Sequence, residues 1–378
     1  MKTPSSPVRR ALLRALAISF AALFLSATAA DRPALDTAIG QARALVEKHI
    51  APKVPGASVA VAVDSQVVWS QGFGYADLAA KKPVTTATRF RIGSISKSLT
   101  AVGLMRLVER GQLDLDAPVQ RYVPEFPDKG TVITTRQLAG HLGGIRHYRG
   151  NEMLLNRPFA DVRASLKIFD RDPLEAPPGT KYIYTTYGWT VISAVMESAA
   201  RQEFLAYMEA TVLRPLSLTR TRADHKGAID PDCTRFYTGD APDKFTPAPE
   251  VDNSYKWAGG GYLSTPEDLV RFGSALLQPG FLKAETLALM FTPQKTTAGK
   301  ATDYGIGWRI VRDAAGHRVM LHTGGSIGGT SVLLLHPETN TVVAMVCNHS
   351  KSPFAKENWE PIAEAFAPVF ASKTAPRR

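Results

Sequence analysis

Arg91-Ile92-Gly93-Ser94-Ile95-Ser96-Lys97-Ser98-Leu99-Thr100 places a serine three residues ahead of a lysine. An apolar run through Leu104, Met105, Leu107 and Val108 follows and stops at Gly111. The run reads as a helix with Ser94 in its first turn and Lys97 on the same face, because residues three apart are neighbours on a helix. Its apolar positions go nearly all the way round, which marks a buried helix, and Gly111 supplies the stop. A serine hydroxyl is a weak nucleophile until a base takes its proton, and a lysine desolvated by burial can be that base. The positive end of the helix dipole favours negative charge developing at Ser94. Taken alone, Ser-x-x-Lys also fits a serine cap followed by a solvent-facing lysine. Ser94 is, however, the only serine in the chain with lysine three positions on.

Outward from this helix, strand patterns lie toward both ends of the chain. Leu35, Ile39, Ala42, Val46 and Ile50 recur at helical spacing and predict an amphipathic helix over 34–50. Residues 57–63 and 67–73 predict a hairpin around Asp64-Ser65-Gln66. Val59, Val61 and Val63 face one way, Ser58, Ala60 and Ala62 the other, so the sheet lacks a strongly polar face and is covered on both sides. Helices are expected at 134–142, 188–200, 203–212 and 266–277. Ser264-Thr265-Pro266-Glu267-Asp268 opens the last of these with a cap, a first-turn proline and early acids. Strands are expected at 304–311, 318–322, 330–336 and 341–347, before a final helix with Trp359, Ile362, Phe366 and Val369 on one face. The economical arrangement is an α/β chain of the α+β kind, with one antiparallel sheet made from both termini and flanked by helices. Residues 30–100 and 301–378 form that sheet-containing lobe, 101–300 a mainly helical lobe, and the active site sits at the seam.

The chain has 378 residues, 44% hydrophobic and 21% charged, an ordinary globular composition. Residues 1–29 read as a secretory signal peptide: Arg9, Arg10 and Arg14, then an apolar run to Leu25, then Ala27-Thr28-Ala29. The alternative is an uncleaved anchor, against which stands the shortness of the apolar run. An exported protein, periplasmic or secreted, with no stable membrane span after processing, is the expectation. Removal of Lys2, Arg9, Arg10 and Arg14 lowers the net charge from +11 to +7. The remaining excess is spread without a dense basic block, which argues against a nucleic-acid partner. Only Cys233 and Cys347 are present. Export would permit them to pair, but two cysteines are no disulfide framework. Cys347 ends the apolar run 342–346 and reads as a buried strand cysteine.

Two further groups bear on chemistry. Tyr182-Ile183-Tyr184-Thr185-Thr186-Tyr187 follows Pro177-Pro178-Gly179-Thr180. Clustered tyrosines commonly pack, yet a phenol beside a lysine can relay protons. Leu321-His322-Thr323-Gly324-Gly325-Ser326-Ile327-Gly328-Gly329-Thr330 lies between strand patterns. It is either a flexible hairpin loop or an edge strand whose backbone N–H donates to a bound acyl oxygen. Within it Gly324-Gly325-Ser326-Ile327-Gly328 satisfies Gly-x-Ser-x-Gly. A nucleophile elbow, however, needs a following helix, and 330–336 has strand character. His141 and His147 lack a third nearby ligand and read as structural, with no metal site and no cofactor expected.

The three groups, in this order, resemble the serine beta-lactamase-related hydrolases, which include class C beta-lactamases and D-alanyl-D-alanine carboxypeptidases. The family pattern of Ser-x-x-Lys, Tyr-x-Asn and Lys/His-Thr-Gly stands here as Ser94-Ile95-Ser96-Lys97, Tyr184-Thr185-Thr186 and His322-Thr323-Gly324. The likeness runs from about residue 35 to 370. It is strongest toward the mitochondrial serine beta-lactamase-like branch, through 93–100, 119–126, 141–148, 251–261 and 322–332. The resemblance implies a beta-lactamase/transpeptidase-like fold with Ser94 as acylated nucleophile, Lys97 as base and Tyr184 sharing proton transfer. It implies an oxyanion hole from the Ser94 and Gly325 amides, and substrate binding by Thr186, His322, Thr323 and Gly324. Thr186 stands where the family carries Asn, and threonine cannot offer an amide's donor–acceptor pair. His322 replaces a permanent charge with one that titrates. Both changes point away from an efficient beta-lactamase and toward a peptidase or amidase on a peptide, amide or ester substrate. An esterase or weak beta-lactamase is the alternative, and a non-catalytic penicillin-binding-like sensor or scaffold the alternative of another class. Oligomeric state is left open.

Overall fold

The computed structural model describes residues 32–239 and 244–374, with side chains of the last helix described to Phe366. The expected export segment, 1–29, and the side chain of Val369 lie outside the described residues. Helix α1 (Arg32–His49) leads into the hairpin β1 (Gly56–Val63) and β2 (Gln66–Asp77). Its two-residue turn, Asp64 and Ser65, adopts φ of 49° and 65°, the left-handed pair whose twist matches a hairpin. Short strands β3 (Lys82–Pro83) and β4 (Phe90–Arg91) precede helix α2 (Ile95–Glu109).

The middle of the chain supplies α3 (Thr135–Ala139), α4 (Val162–Leu166), α5 (Tyr187–Ala200), α6 (Phe204–Met208), β5 (Arg222–Ala223), β6 (Tyr237–Thr238) and β7 (Thr246–Pro247). It continues with α7 (Trp257–Gly260), β8 (Tyr262–Ser264), α8 (Pro266–Leu277) and α9 (Ala284–Met290). β9 (Arg309–Arg312), β10 (Arg318–Ser326), β11 (Gly329–His336), β12 (Thr341–Cys347) and α10 (Lys356–Thr374) complete it.

The main sheet has seven strands in the order β3-β2-β1-β12-β11-β10-β9, with every neighbouring pair antiparallel. β1 therefore lies against β12, from Ala57 opposite Cys347 to Val63 opposite Thr341. Strand alternation divides the buried residues into two cores. Val59, Val61, Leu334 and Met345 meet Ala42 and Val46 of α1 and Trp359, Ile362 and Phe366 of α10. Ala60, Ala62, Leu333, Leu335 and Ala344 meet Leu269, Phe272 and Leu276 of α8. The sheet is covered on both faces, as the apolar alternation of β1 predicts.

Helix α2 is buried over all but its last turn and edge residues. Its polar residues are satisfied internally: Ser96 donates to Gly93 O (2.7 Å), Ser98 to Gly307 O (2.8 Å) and Thr100 to Ala258 O (2.9 Å). These bonds let a helix apolar on all sides carry hydroxyls without leaving them orphaned.

Several boundaries differ from the sequence expectation. The strand expected over 304–311 is confined to Arg309–Arg312. Before it, Gly307 adopts φ 74° and its carbonyl is taken by Ser98, so the segment packs on α2 instead of pairing. β10 runs on to Ser326, so the glycine-rich stretch is strand, not loop. α3 ends at Ala139 because His141 takes φ 61°. The helix expected to 212 changes to a π-turn over Glu209–Leu213. Cys233 and Cys347 are both free, and Cys347 is buried beside Thr330 Oγ1 at 2.9 Å. Among the described residues no helix is long and apolar enough to cross a membrane.

Candidate active site

Ser94 is positioned by the turn before α2. Gly93 adopts φ 48°, and a Cβ there would sit 2.7 Å from the Gly325 amide nitrogen and oxygen. Glycine thus meets two needs at once, a left-handed backbone and close approach of β10. The same turn is tied on both sides: Ile92 N–H donates to Tyr262 O (3.1 Å) and Ser331 Oγ donates to Ile92 O (2.8 Å). Ser94 begins the helix without using its hydroxyl as a cap, which leaves that oxygen to its neighbours.

One turn on, Lys97 is fully buried. Its Nζ lies within hydrogen-bond distance of Ser94 Oγ (3.0 Å), Thr186 Oγ1 (3.1 Å) and Gly259 O (2.6 Å). Burial, assisted by the charge of Lys256, holds its pKa well below the usual lysine value. A neutral amine has two N–H donors and one lone pair. With those donors on Gly259 O and Thr186 Oγ1, the lone pair faces the Ser94 hydroxyl.

Tyr184 lies over this pair, with Lys97 Nζ 4.9 Å from its ring centroid. Burial pushes its phenol up, opposed by hydrogen bonding with Ser94, so it stays protonated. The backbone after it is pinned by two histidines: Thr185 N–H donates to His141 Nδ1 (3.2 Å) and Thr186 N–H to His147 Nδ1 (3.3 Å). His141 also packs its ring on Tyr184 with centroids 4.3 Å apart. The histidines thus act on the tyrosine loop, and no group of three or more metal-ligating side chains occurs among the described residues.

β9 pairs only with Arg318–Leu321 of β10. From His322 onward that edge of β10 has no strand partner among the described residues, and it faces the Ser94 turn. The alternation of β10 puts His322 on the same face as Met320, toward α2. His322 accepts from Tyr304 O–H at Nε2 (2.7 Å) and donates from Nδ1 to Thr323 O (2.7 Å). Burial depresses its pKa to about 3, so the ring is neutral with both nitrogens committed. Ser326 is buried at the end of β10, ahead of a turn into β11. No helix follows it, and the nucleophile-elbow reading is excluded.

A cavity of about 490 Å³ has Ser94, Tyr184, Thr186, His322, Thr323 and Gly325 in its walls. Gly324 does not line it: its α-carbon faces the Ile92 carbonyl, which a side chain would strike. The same walls include Tyr148, Lys256 and Arg309, which sequence reasoning left without a role. Tyr148 and Lys256 fall in the stretches 141–148 and 251–261 that carried the family likeness. A lone tyrosine or lysine has no spacing signature from which a site can be read.

The profile of the family described as Beta-lactamase matches residues 42–367. The chain belongs to the Beta-lactamase family. Its similarity to the mitochondrial serine beta-lactamase-like protein LACTB of Homo sapiens is 33% identity over 78% of this chain and 73% of that one. A D-aminopeptidase of Gluconobacter oxydans is 27% identical over 78% of this chain and 56% of its own. Among solved structures, the octameric penicillin-binding protein homologue from Pyrococcus abyssi is 26% identical. It superposes with a TM-score of 0.73, covering 90% of this chain and 78% of that one. The beta-lactamase/transpeptidase-like fold follows, as does membership of a family of serine hydrolases.

Proposed function

We propose that the protein hydrolyses peptide or amide bonds through an acyl-enzyme at Ser94. The observation that carries this is the contact of the buried Lys97, whose pKa burial holds well below the usual lysine value, with Ser94 Oγ at 3.0 Å. Lys97 takes the Ser94 proton as Oγ bonds to the carbonyl carbon. The resulting oxyanion is held by the amides of Ser94, at the start of α2 where the helix dipole adds to the donors, and of Gly325 in β10. As the C–N bond breaks, the proton on Lys97 passes through the Tyr184 hydroxyl to the departing nitrogen. Water then attacks the ester, giving its proton back along the same route, and release of the acid restores the Ser94 hydroxyl.

Two observations support an amidase or peptidase over a dedicated beta-lactamase. His322 is neutral with both nitrogens engaged, so it offers no charge to a ring carboxylate. Thr186 spends its hydroxyl on Lys97, where the family's Asn would also reach a substrate amide. The basic, apolar and small-residue pattern of residues 1–29 supports an exported site of action.

The reading is tested with a fluorophosphonate probe and coumarin amides. Wild type should gain one adduct at Ser94 and release coumarin, and Ser94→Ala should do neither. Full amide hydrolysis by Ser94→Ala would overturn the mechanism.

A further inference from the structure

Lys256 is 3% exposed and lines the catalytic cavity. Buried ammonium groups are normally paired, because removing the charge from water costs several kcal/mol. Lys256 has neither an ion pair nor a hydrogen bond among the described residues. Its Nζ lies only over two aromatic faces, 5.6 Å from the Tyr148 ring centroid and 5.1 Å from that of Tyr255. The buried carboxylate that acts electrostatically on it is taken: Asp224 Oδ2 accepts from Arg91 Nε (2.7 Å) and Asn253 Nδ2 (2.6 Å).

The other basic groups of the cavity wall are committed. Lys97 holds Ser94, Thr186 and Gly259. His322 is bonded at both nitrogens, and His147 accepts from Thr186 N–H. Arg309 pairs with Asp303 at 3.3 Å. That leaves Lys256 as the cation of the described wall without an anion. It is also close to the nucleophile: its Cδ and the Gly93 carbonyl carbon lie equally near, 3.8 Å, to where a Cβ on Gly260 would stand. The cavity, about 490 Å³, is of a size for a short peptide segment.

We propose that Lys256 recognises a carboxylate on the substrate, either a peptide C-terminus or an acidic side chain beside the bond to be cut; the assignment rests on the acyl-enzyme reading above. It would take over the anion-binding duty that a neutral His322 cannot perform. The tyrosine faces hold the amine in place, and an arriving carboxylate favours its protonated form and supplies the missing counter-charge and hydrogen bond.

The test uses the full protein with Lys256→Met and Lys256→Gln, both checked for a cooperative melt, and Lys256→Arg. One substrate set carries Asp, Asn or Ala before a coumarin amide, and the other is an acyl dipeptide ending in a free carboxylate or an amide. Wild type should favour a carboxylate member at least tenfold in kcat/KM, and the set in which it does so identifies the source. The neutral variants should lose that preference to within about twofold, and Lys256→Arg should restore part of it. No preference in wild type, a preference that survives in the neutral variants, or an equal loss on every substrate overturns the assignment. If nothing is cleaved, the hydrolase reading fails by itself, and calorimetry decides on Lys256. Ser94→Ala should bind an N-acetyl dipeptide carboxylate at least tenfold tighter than its amide, and adding Lys256→Met should abolish the difference. Equal affinities overturn it.

Discussion

Replacing Lys256 with methionine should make the protein more stable at neutral pH. In the unfolded chain a lysine titrates near 10.5, whereas burial first, and Arg91 second, bring Lys256 down to about 7, with Asp224 opposing. Between those values the unfolded chain binds a proton that the native state releases. Native stability therefore falls as pH drops from 10.5 toward 7. At about 1.4 kcal/mol per unit, the lysine costs the fold about 4 kcal/mol at pH 7.5 and about 2 kcal/mol at pH 9. Relaxation and water entry reduce such penalties by roughly half. Methionine keeps the length of the side chain and packs well against Tyr148 and Tyr255, because thioethers favour aromatic edges. The variant should gain about 2 kcal/mol at pH 7.5 and about half that at pH 9. Urea unfolding of both proteins at the two pH values measures this, and groups common to both cancel in the difference. A variant less stable than wild type at pH 7.5, or an advantage equal at both pH values, would refute the picture of an unpaired buried amine.

Gly93→Ala should lower kcat about a hundredfold with little change in KM. Left-handed backbone costs alanine about 1–2 kcal/mol, and its methyl would press on the Gly325 amide at 2.7 Å, displacing the proposed oxyanion donor. An unchanged kcat in steady-state assays would count against that amide. Thr186→Val should slow acylation about tenfold in stopped-flow assays by removing one of the acceptors that aim Lys97, a loss of about 1.4 kcal/mol. Wild-type rate there would mean Gly259 O suffices. The acid limb of kcat/KM should reflect the lowered pKa of Lys97: activity rises as Lys97 loses its proton and levels off well below 10.5. A limb centred near 10.5 would rule out a desolvated base.

The parts of the fold legible in the sequence were those written as periodicity. Val59, Val61 and Val63 announced a sheet covered on both sides, and the α1 and α10 stripes announced its outer cover. The proton-transfer geometry was half legible, since Ser94 and Lys97 sit one helical turn apart and the spacing itself sets their contact. Tyr184 and His322 needed the family likeness, because what brings them to Ser94 is tertiary. Tyr184 arrives through backbone bonds to His141 and His147, side chains that looked merely structural. The state of His322 was not legible: a lone histidine in a strand does not reveal that Tyr304 and Thr323 occupy both nitrogens. Tyr304 in turn was read as strand, since a β-rich pattern cannot signal that a loop carbonyl will be captured by Ser98 on a buried helix. Lys256 escaped for the opposite reason. Its significance lies in a missing partner, and a sequence records only the residues present.

The pairing of β1 with β12 joins Ala57 to Cys347, residues far apart in the sequence. During translation β1 and β2 emerge early, yet β12, the strand β1 lies against, arrives only after the whole helical middle of the chain. The Ser94 turn leans on β10 and β11, so it too has nothing to rest against until then. Closing so long a loop is slow, and a ribosome-bound fragment carries the serine and lysine without the surface that makes them a pair. The fold thus delays the pairing it depends on: Ser94 and Lys97 acquire their surroundings only after β10 and β11 have been made.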